Sequence, residues 1–201
     1  MSTLRVRLMT KDDWEAVLAI HRRALPDSLM CMLGPKYLRH TLYPLVTLGS
    51  EGRAIVVEAE GRLCGFAMYG ASQHAITGVL KKHWGWLLLT ILRKCLKFDY
   101  TFMKFFVSVL CAQSVQRSVT PQAMHLFLIA VDPARHGQGL GSLLLQTSLP
   151  LAAEHFSKRE CVVEARTEAA QRFYEHNGFT MCAVERLGIR EYVQLKRSIS
   201  S

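Results

Sequence analysis

Eleven residues, Val-Asp-Pro-Ala-Arg-His-Gly-Gln-Gly-Leu-Gly from Val131 to Gly141, constrain this chain more than any other segment. The apolar run before them, 126–131, has strand character, and the run after them, 142–149, has helix character. Strand, glycine-rich turn and helix, in that order, aim several backbone N–H groups at one point. First-turn amides lack intrahelical acceptors and the helix dipole is positive there, so the point attracts phosphate. The segment predicts a diphosphate cradle.

Spacing narrows the kind of cradle. A P-loop places Lys and then Ser or Thr after its last glycine, but Gly141 is followed by Ser142 and Leu143. A dinucleotide fingerprint reads G-x-G-x-x-G, whereas Gly137, Gly139 and Gly141 are spaced G-x-G-x-G, and no βαβ unit opens there. What remains resembles the loop of the Gcn5-related N-acetyltransferase (GNAT) superfamily, Arg/Gln-x-x-Gly-x-Gly/Ala after a strand ending Val-x-Pro. On this chain the loop is His136, Gly137, Gln138, Gly139, Leu140 and Gly141. His136 stands where the family usually has Arg or Gln, with Arg135 one place earlier.

A second block lies about thirty residues on: Thr167, Ala170, Phe173, Tyr174, Asn177, Gly178 and Phe179. It resembles the same superfamily's Asn-x-x-Ala-x-x-Phe/Leu-Tyr-x-x-x-Gly-Phe segment, with Thr167 in place of Asn. Thr167 is a fit N-cap, and Asn177-Gly178 a left-handed stop. Thr167, Ala170 and Tyr174 share one helix face.

The resemblance implies acetyl-CoA as acyl donor and an amine acceptor. His136, Gly137, Gln138, Gly139, Leu140, Gly141 and Ser142 would hold its diphosphate. Ile129 and Val131 would hold the pantetheine arm through backbone atoms, and Thr167 and Tyr174 would line the cofactor. Tyr174 is the expected acid that protonates the CoA sulfur. An amine must be neutral to attack, so the site needs a base or desolvation. Glu164 and His125, on the two strands that flank the cofactor in this fold, are the base candidates. Glu58 lies on an earlier strand, and a water chain to a backbone carbonyl is the alternative to any side-chain base.

Half of the 201 residues are apolar, enough for one well-buried core. Arg5 and Arg7 near the N-terminus precede no apolar stretch, so no signal peptide is expected. Six cysteines (Cys31, Cys64, Cys95, Cys111, Cys161, Cys182) are scattered without C-x-x-C or metal spacing. Cys64, Cys161 and Cys182 lie in or beside apolar runs as small hydrophobes. A reducing cytoplasm and no metal are the expectation. The 25 basic and 16 acidic residues give +9. That charge suits an anionic cofactor, nucleic acid or an anionic membrane alike, and it is the lack of any nucleic-acid motif that argues against nucleic acid.

Along the chain, a strand at 5–9 precedes a helix N-capped by Thr10 and running to about Ala24. Trp14, Val17, Leu18 and Leu25 recur along it at helical spacing. A second helix spans 35–48. A hairpin joins 53–59 to 62–69 at Glu60-Gly61. Strands at 124–131, 160–165, 179–184 and 190–195 complete the pattern. Pro150 is expected to kink or end the helix that starts near Gly139. This order is that of the superfamily it resembles, and the resemblance implies an α/β fold: a mixed, splayed sheet of seven strands with helices on both faces, expected as one domain over 1–197. Residues 198–201 form a Ser-rich tail expected to be disordered.

Residues 76–119, between the third and fourth strands, depart from the superfamily pattern as an apolar and basic helical insertion. From 79 to 104 six basic residues face one acidic residue, a balance of +5. Its apolar runs fall short of the ~20 residues of a membrane span. Three readings stay open for 79–112: an internal hairpin or homodimer contact, a substrate lid with Trp84, Trp86, Tyr100 and Phe102, or an interfacial anchor with Lys82, Arg93 and Lys97 outward. The last would place the protein peripherally at the inner membrane face. The functional expectation is an N-acetyltransferase for a small amine, an amino sugar or a protein amine. Its rival is a non-catalytic CoA-binding or membrane-associated regulatory domain.

Overall fold

The computed structural model describes residues 4–26, 28, 31, 34–72, 85, 92, 123–187 and 190–199. Nearly all of the expected 76–119 insertion, with Trp84, Trp86, Tyr100 and Phe102, lies outside them. The described elements are β1 (Leu4–Leu8), a 3-10 turn (Lys11–Asp13), α1 (Trp14–Ala24), α2 (35–48), β2 (Gly52–Ala59), β3 (Arg62–Gly70), β4 (Ala123–Val131), a 3-10 turn (Pro133–Arg135), α3 (Leu140–Phe156), β5 (Glu160–Ala165), α4 (Glu168–His176), β6 (Thr180–Leu187) and β7 (Arg190–Ser198). The seven strands form one sheet in the order β1-β2-β3-β4-β5-β7-β6. Only β4 and β5 pair parallel. This is the expected mixed α/β architecture.

Each face of the sheet carries its own apolar layer. Ile55, Val57, Tyr69, Leu126 and Val163 pack with Leu144, Leu145 and Leu149 of α3 and with Tyr174 of α4. On the other face Val56, Phe66 and Met68 pack with Val17 and Ile20 of α1 and Leu38, Leu42 and Tyr43 of α2. The period-2 alternation of β2 divides its residues between the two layers.

Local chemistry accounts for the element ends. Asp13 turns its carboxylate back on Thr10, accepting from the backbone N–H at 2.8 Å and the hydroxyl at 3.0 Å, and so starts α1. Glu60 (φ 54°) and Gly61 (φ 73°) make the two-residue β2–β3 turn with the positive φ pair that suits strand twist. Helix α2 contains a π-helical turn at Leu38–Leu42 between α-helical Pro35–Tyr37 and Tyr43–Leu48.

Three sequence expectations are corrected. Helix α3 does not end at Pro150 but runs through it to Phe156. Pro150 is solvent-exposed, so the loss of one N–H is met at the wet face while Leu149, Ala152 and Ala153 remain packed. Strand β7 reaches Ser198, and Ile199 N–H donates to Arg159 O at 2.8 Å, so ordered pairing continues past the expected start of the tail. Cys182 is exposed, unlike Cys64 and Cys161; all three, with Cys31, are free thiols. No helix among the described residues is long and apolar enough to cross a membrane.

Candidate active site

The sheet forks beside the glycine loop. Strands β4 and β5 pair only from Ala123↔Glu160 to Leu126↔Val163. Beyond that, β4 continues against β3 to Val131, and β5 continues against β7 to Ala165. The two strands at the centre of the sheet thus part, leaving one edge of β4 without a strand partner among the described residues.

A β-bulge sets what that edge presents. Met68 pairs with Leu128 and Tyr69 with Leu126, so Phe127 is the extra residue. Beyond it the alternation of faces is reset, and Ile129 and Val131 join the layer under α3 that Leu126 also serves. Asp132 N–H donates to Cys64 O at 2.7 Å. Ala130 O lies against Gly65, where a Cβ would stand 2.8 Å from it. In an antiparallel pair the intervening residues turn their backbone groups the other way, so those of Ile129 and Val131 face the fork.

The glycines at the mouth of the fork answer different demands. Gly137 (φ 77°) and Gly139 (φ 72°) occupy the left-handed region, where a Cβ is costly. Gly139 is the N-cap of α3 and supplies no capping side chain. The N–H groups of Leu140, Gly141 and Ser142 therefore have neither an i−4 acceptor in the helix nor a capping oxygen. Residues 136–139 are exposed, and the Leu140 side chain is buried and anchors the helix start. Gly141 serves close approach: a Cβ there would lie 3.2 Å from Phe173 Cε2. A Cβ on Gly139 would meet no protein atom within 4 Å, so the demand the fold itself makes there is conformational.

His136 folds its ring back onto β4, with Nε2 3.2 Å from Val131 O. In the Nε2–H tautomer the ring donates to that carbonyl. Gln138 is exposed on the loop.

Helix α4 starts as expected, the Thr167 hydroxyl oxygen accepting from Ala170 N–H at 3.1 Å. It stops at Asn177-Gly178, with Gly178 at φ 81°. Tyr174 is buried between Phe173 and Phe179, ring centroids 5.2 and 5.6 Å away. Burial pushes its phenol well above the usual tyrosine range, so it stays protonated, the form a proton donor needs.

His125 and Glu164 lie across the sheet from Tyr174. Met124, Leu126, Cys161, Val163 and Ala165 all belong to the layer under α3 and α4. Alternation places His125 and Glu164 on the opposite face. His125 is buried, its ring stacked on Phe127 at 6.3 Å, and Glu164 is half-buried on β5, two residues past Val162, the cross-strand partner of His125. Glu58, by contrast, is not brought to the fork. It stands on β2 with its carboxylate engaged by Arg7 Nε at 3.1 Å.

Three features escaped the sequence reading. The bulge at Phe127 has no local signature in an unbroken apolar run. The Arg23–Asp132 ion pair joins residues 109 positions apart. The burial of His21 did carry a signal, because it falls on the same helical face as Trp14, Val17, Leu18 and Leu25. Among the described residues no group of three or more His, Cys, Asp or Glu side chains is placed to hold a metal ion.

Comparison with known proteins agrees with this geometry. The model of the acetyltransferase (GNAT) family matches residues 14–179. A mycothiol acetyltransferase from Beutenbergia cavernae is 38% identical over 60 residues, 29% of this chain and 20% of the relative, so the match spans about a fifth of that protein. The fold is shared with the ribosomal-protein-S18-alanine N-acetyltransferase of Escherichia coli, at 17% identity and a TM-score of 0.62, covering 99% of this chain and 96% of that one. It is shared too with YncA from Salmonella typhimurium, whose structure holds its cofactor acetyl-CoA (17% identity, TM-score 0.62, 100% and 96% covered). By the residues matched, this chain belongs to the acetyltransferase (GNAT) family.

Proposed function

We propose that the chain is an N-acetyltransferase that passes the acetyl group of acetyl-CoA directly to a primary amine. The observation that carries this reading is the fork itself: a β4 edge with no strand partner among the described residues leads straight to the uncapped first turn of α3. The residues present fit such a donor. Amides of Leu140, Gly141 and Ser142, without an intrahelical acceptor or a capping side chain, would bind a diphosphate, and backbone groups of Ile129 and Val131, the Val131 carbonyl shared with the His136 ring, would meet the amides of a pantetheine arm. Thr167 and Ala170 leave a low surface on the cofactor side of α4, and the loop residues His136 and Gln138 border the cradle.

Acetyl-CoA, when bound, supplies the activated acyl group. Tyr174 holds the proton that the departing sulfur takes up. His125, on the paired stretch of β4 and β5, and Glu164, just past it on β5, are the candidates to accept the proton that the attacking amine gives up; their face of the sheet is opposite that of Tyr174. In the balance one C–N bond forms, one C–S bond breaks, and one proton moves from nitrogen to base while another moves from phenol to sulfur. The acceptor class comprises small amines, amino sugars and protein amines. The free thiols of the described cysteines suit a reducing cytoplasm.

The test is release of free CoA thiol from acetyl-CoA in the presence of an amine library, with CoA association followed by calorimetry. Amine-dependent thiol release is expected. CoA binding without release by any amine favours the non-catalytic CoA-binding domain, and no heat of association with CoA at low salt removes both readings.

A further inference from the structure

We infer that Arg23 and Asp132 act as a positioning clamp for the diphosphate loop, with Arg23 cancelling a carboxylate that would otherwise repel the bound anion. The inference rests on reading residues 136–142 as the diphosphate site. Asp132 is the junction between β4 and that loop, and all four of its hydrogen-bonding groups are engaged. Its N–H donates to Cys64 O at 2.7 Å, and its C=O accepts from Arg135 N–H at 2.8 Å. One carboxylate oxygen accepts from Ala134 N–H at 3.2 Å, and the other accepts from Arg23 Nη2 at 2.6 Å. Arg23 lies in the last turn of α1, on the opposite face of the sheet from α3. A longer contact, Arg135 Nη2 to Glu60 at 3.9 Å, ties the same turn to the β2–β3 hairpin.

Magnitudes assign the role. The Arg23 side chain is 54% exposed and that of Asp132 18%, and an ion pair this open adds little to global stability. What it controls is local. Amides that bind an anion must be held to within about half an ångström, and a lone carboxylate beside the cradle opposes a diphosphate. Pinning and charge cancellation can be separated. Asp132→Asn removes the anion and weakens the clamp, whereas Arg23→Gln breaks the clamp and leaves the anion behind.

Calorimetry of CoA binding to the full chain, at low and moderate salt, tests this with R23Q, D132N and R23K beside thermal midpoints. The expected result is roughly tenfold weaker binding in R23Q and a smaller loss in D132N. R23K should recover most of the affinity, salt should narrow the gap between R23Q and D132N, and midpoints should hold within a few degrees. Wild type that binds CoA with all variants within twofold overturns the clamp alone, as does weakening that occurs only where the midpoint also collapses. Wild type that binds no CoA overturns the reading of the loop, and this inference with it.

Discussion

Gly141 of the first turn of α3 and Phe173 of α4 are packed so closely that a methyl group on Gly141 would stand 3.2 Å from the Phe173 ring. Phe173 in turn meets Tyr174 edge-on at 5.2 Å. The turn that presents amides and the helix that carries the proposed acid are therefore set against each other through one ring. In Gly141→Ala, a gain in helix propensity of about 0.5–1 kcal/mol opposes the displacement of that ring. Net stability should change by no more than about 1 kcal/mol, while CoA affinity and turnover both fall. Calorimetry and thermal unfolding of one preparation check this; unchanged affinity would show that the ring yields freely.

Tyr174→Phe keeps the ring packing and removes the hydroxyl. Turnover should drop about a hundredfold or more, with CoA affinity retained. Burial holds the phenol protonated well above the usual range, so Tyr174 should not set a falling limb of the rate up to about pH 10. A rate equal to wild type would remove Tyr174 from the chemistry.

His21 is fully buried against Phe66, and burial lowers its pKa from the ordinary 6.5 to about 4. Its Nε2 lies 3.2 Å from Ser28 Oγ, while its Nδ1 has no hydrogen-bond partner among the described residues. Because the unfolded chain takes up this proton first, the stability the neutral ring confers is complete above pH 6.5. It is lost as pH falls toward 4, about 3 kcal/mol in all. Denaturant unfolding across that window should show the slope in wild type and a flatter profile in His21→Gln.

Tyr69 on β3 and Ser148 on α3 share a buried hydrogen bond of 2.7 Å between their hydroxyls. Ser148→Ala strands the Tyr69 hydroxyl and should cost about 1–3 kcal/mol. Adding Tyr69→Phe should recover part of that loss, because no buried hydroxyl then lacks its partner. Strictly additive losses in the two single variants and the double would mean that the bond contributes nothing.

Pro150 interrupts the hydrogen-bond ladder of α3 at an exposed position without ending the helix. Pro150→Ala should stabilise the chain by about 1–3 kcal/mol, read as a rise in thermal midpoint of ~2–4 °C per kcal/mol. A lower midpoint would show that the ring packs usefully.

Helix α4 and the glycine turn before α3 were legible because their signals are local. Thr167 caps within three residues, Gly178 stops the helix within two, and Gly137 and Gly139 meet a conformational demand that belongs to their own backbone. The same holds for the hairpin turn at Glu60-Gly61. Pro150 misled because the cost of one missing donor is local, while the packing of Leu149, Ala152 and Ala153 that outweighs it is not.

By itself, then, the sequence determined the order of elements, the glycine turn and the family to which both motifs point. Those follow from periodicity, caps and positive φ, which act over a few residues. Only the tertiary structure decided where β4 leaves β5, that the bulge at Phe127 turns Ile129 and Val131 into the layer under α3, and that Tyr174 and His125 stand on opposite faces. It alone brought Arg23 to Asp132. Strand pairing and charge contact depend on which distant segments meet in space, and no window of neighbouring residues contains that choice.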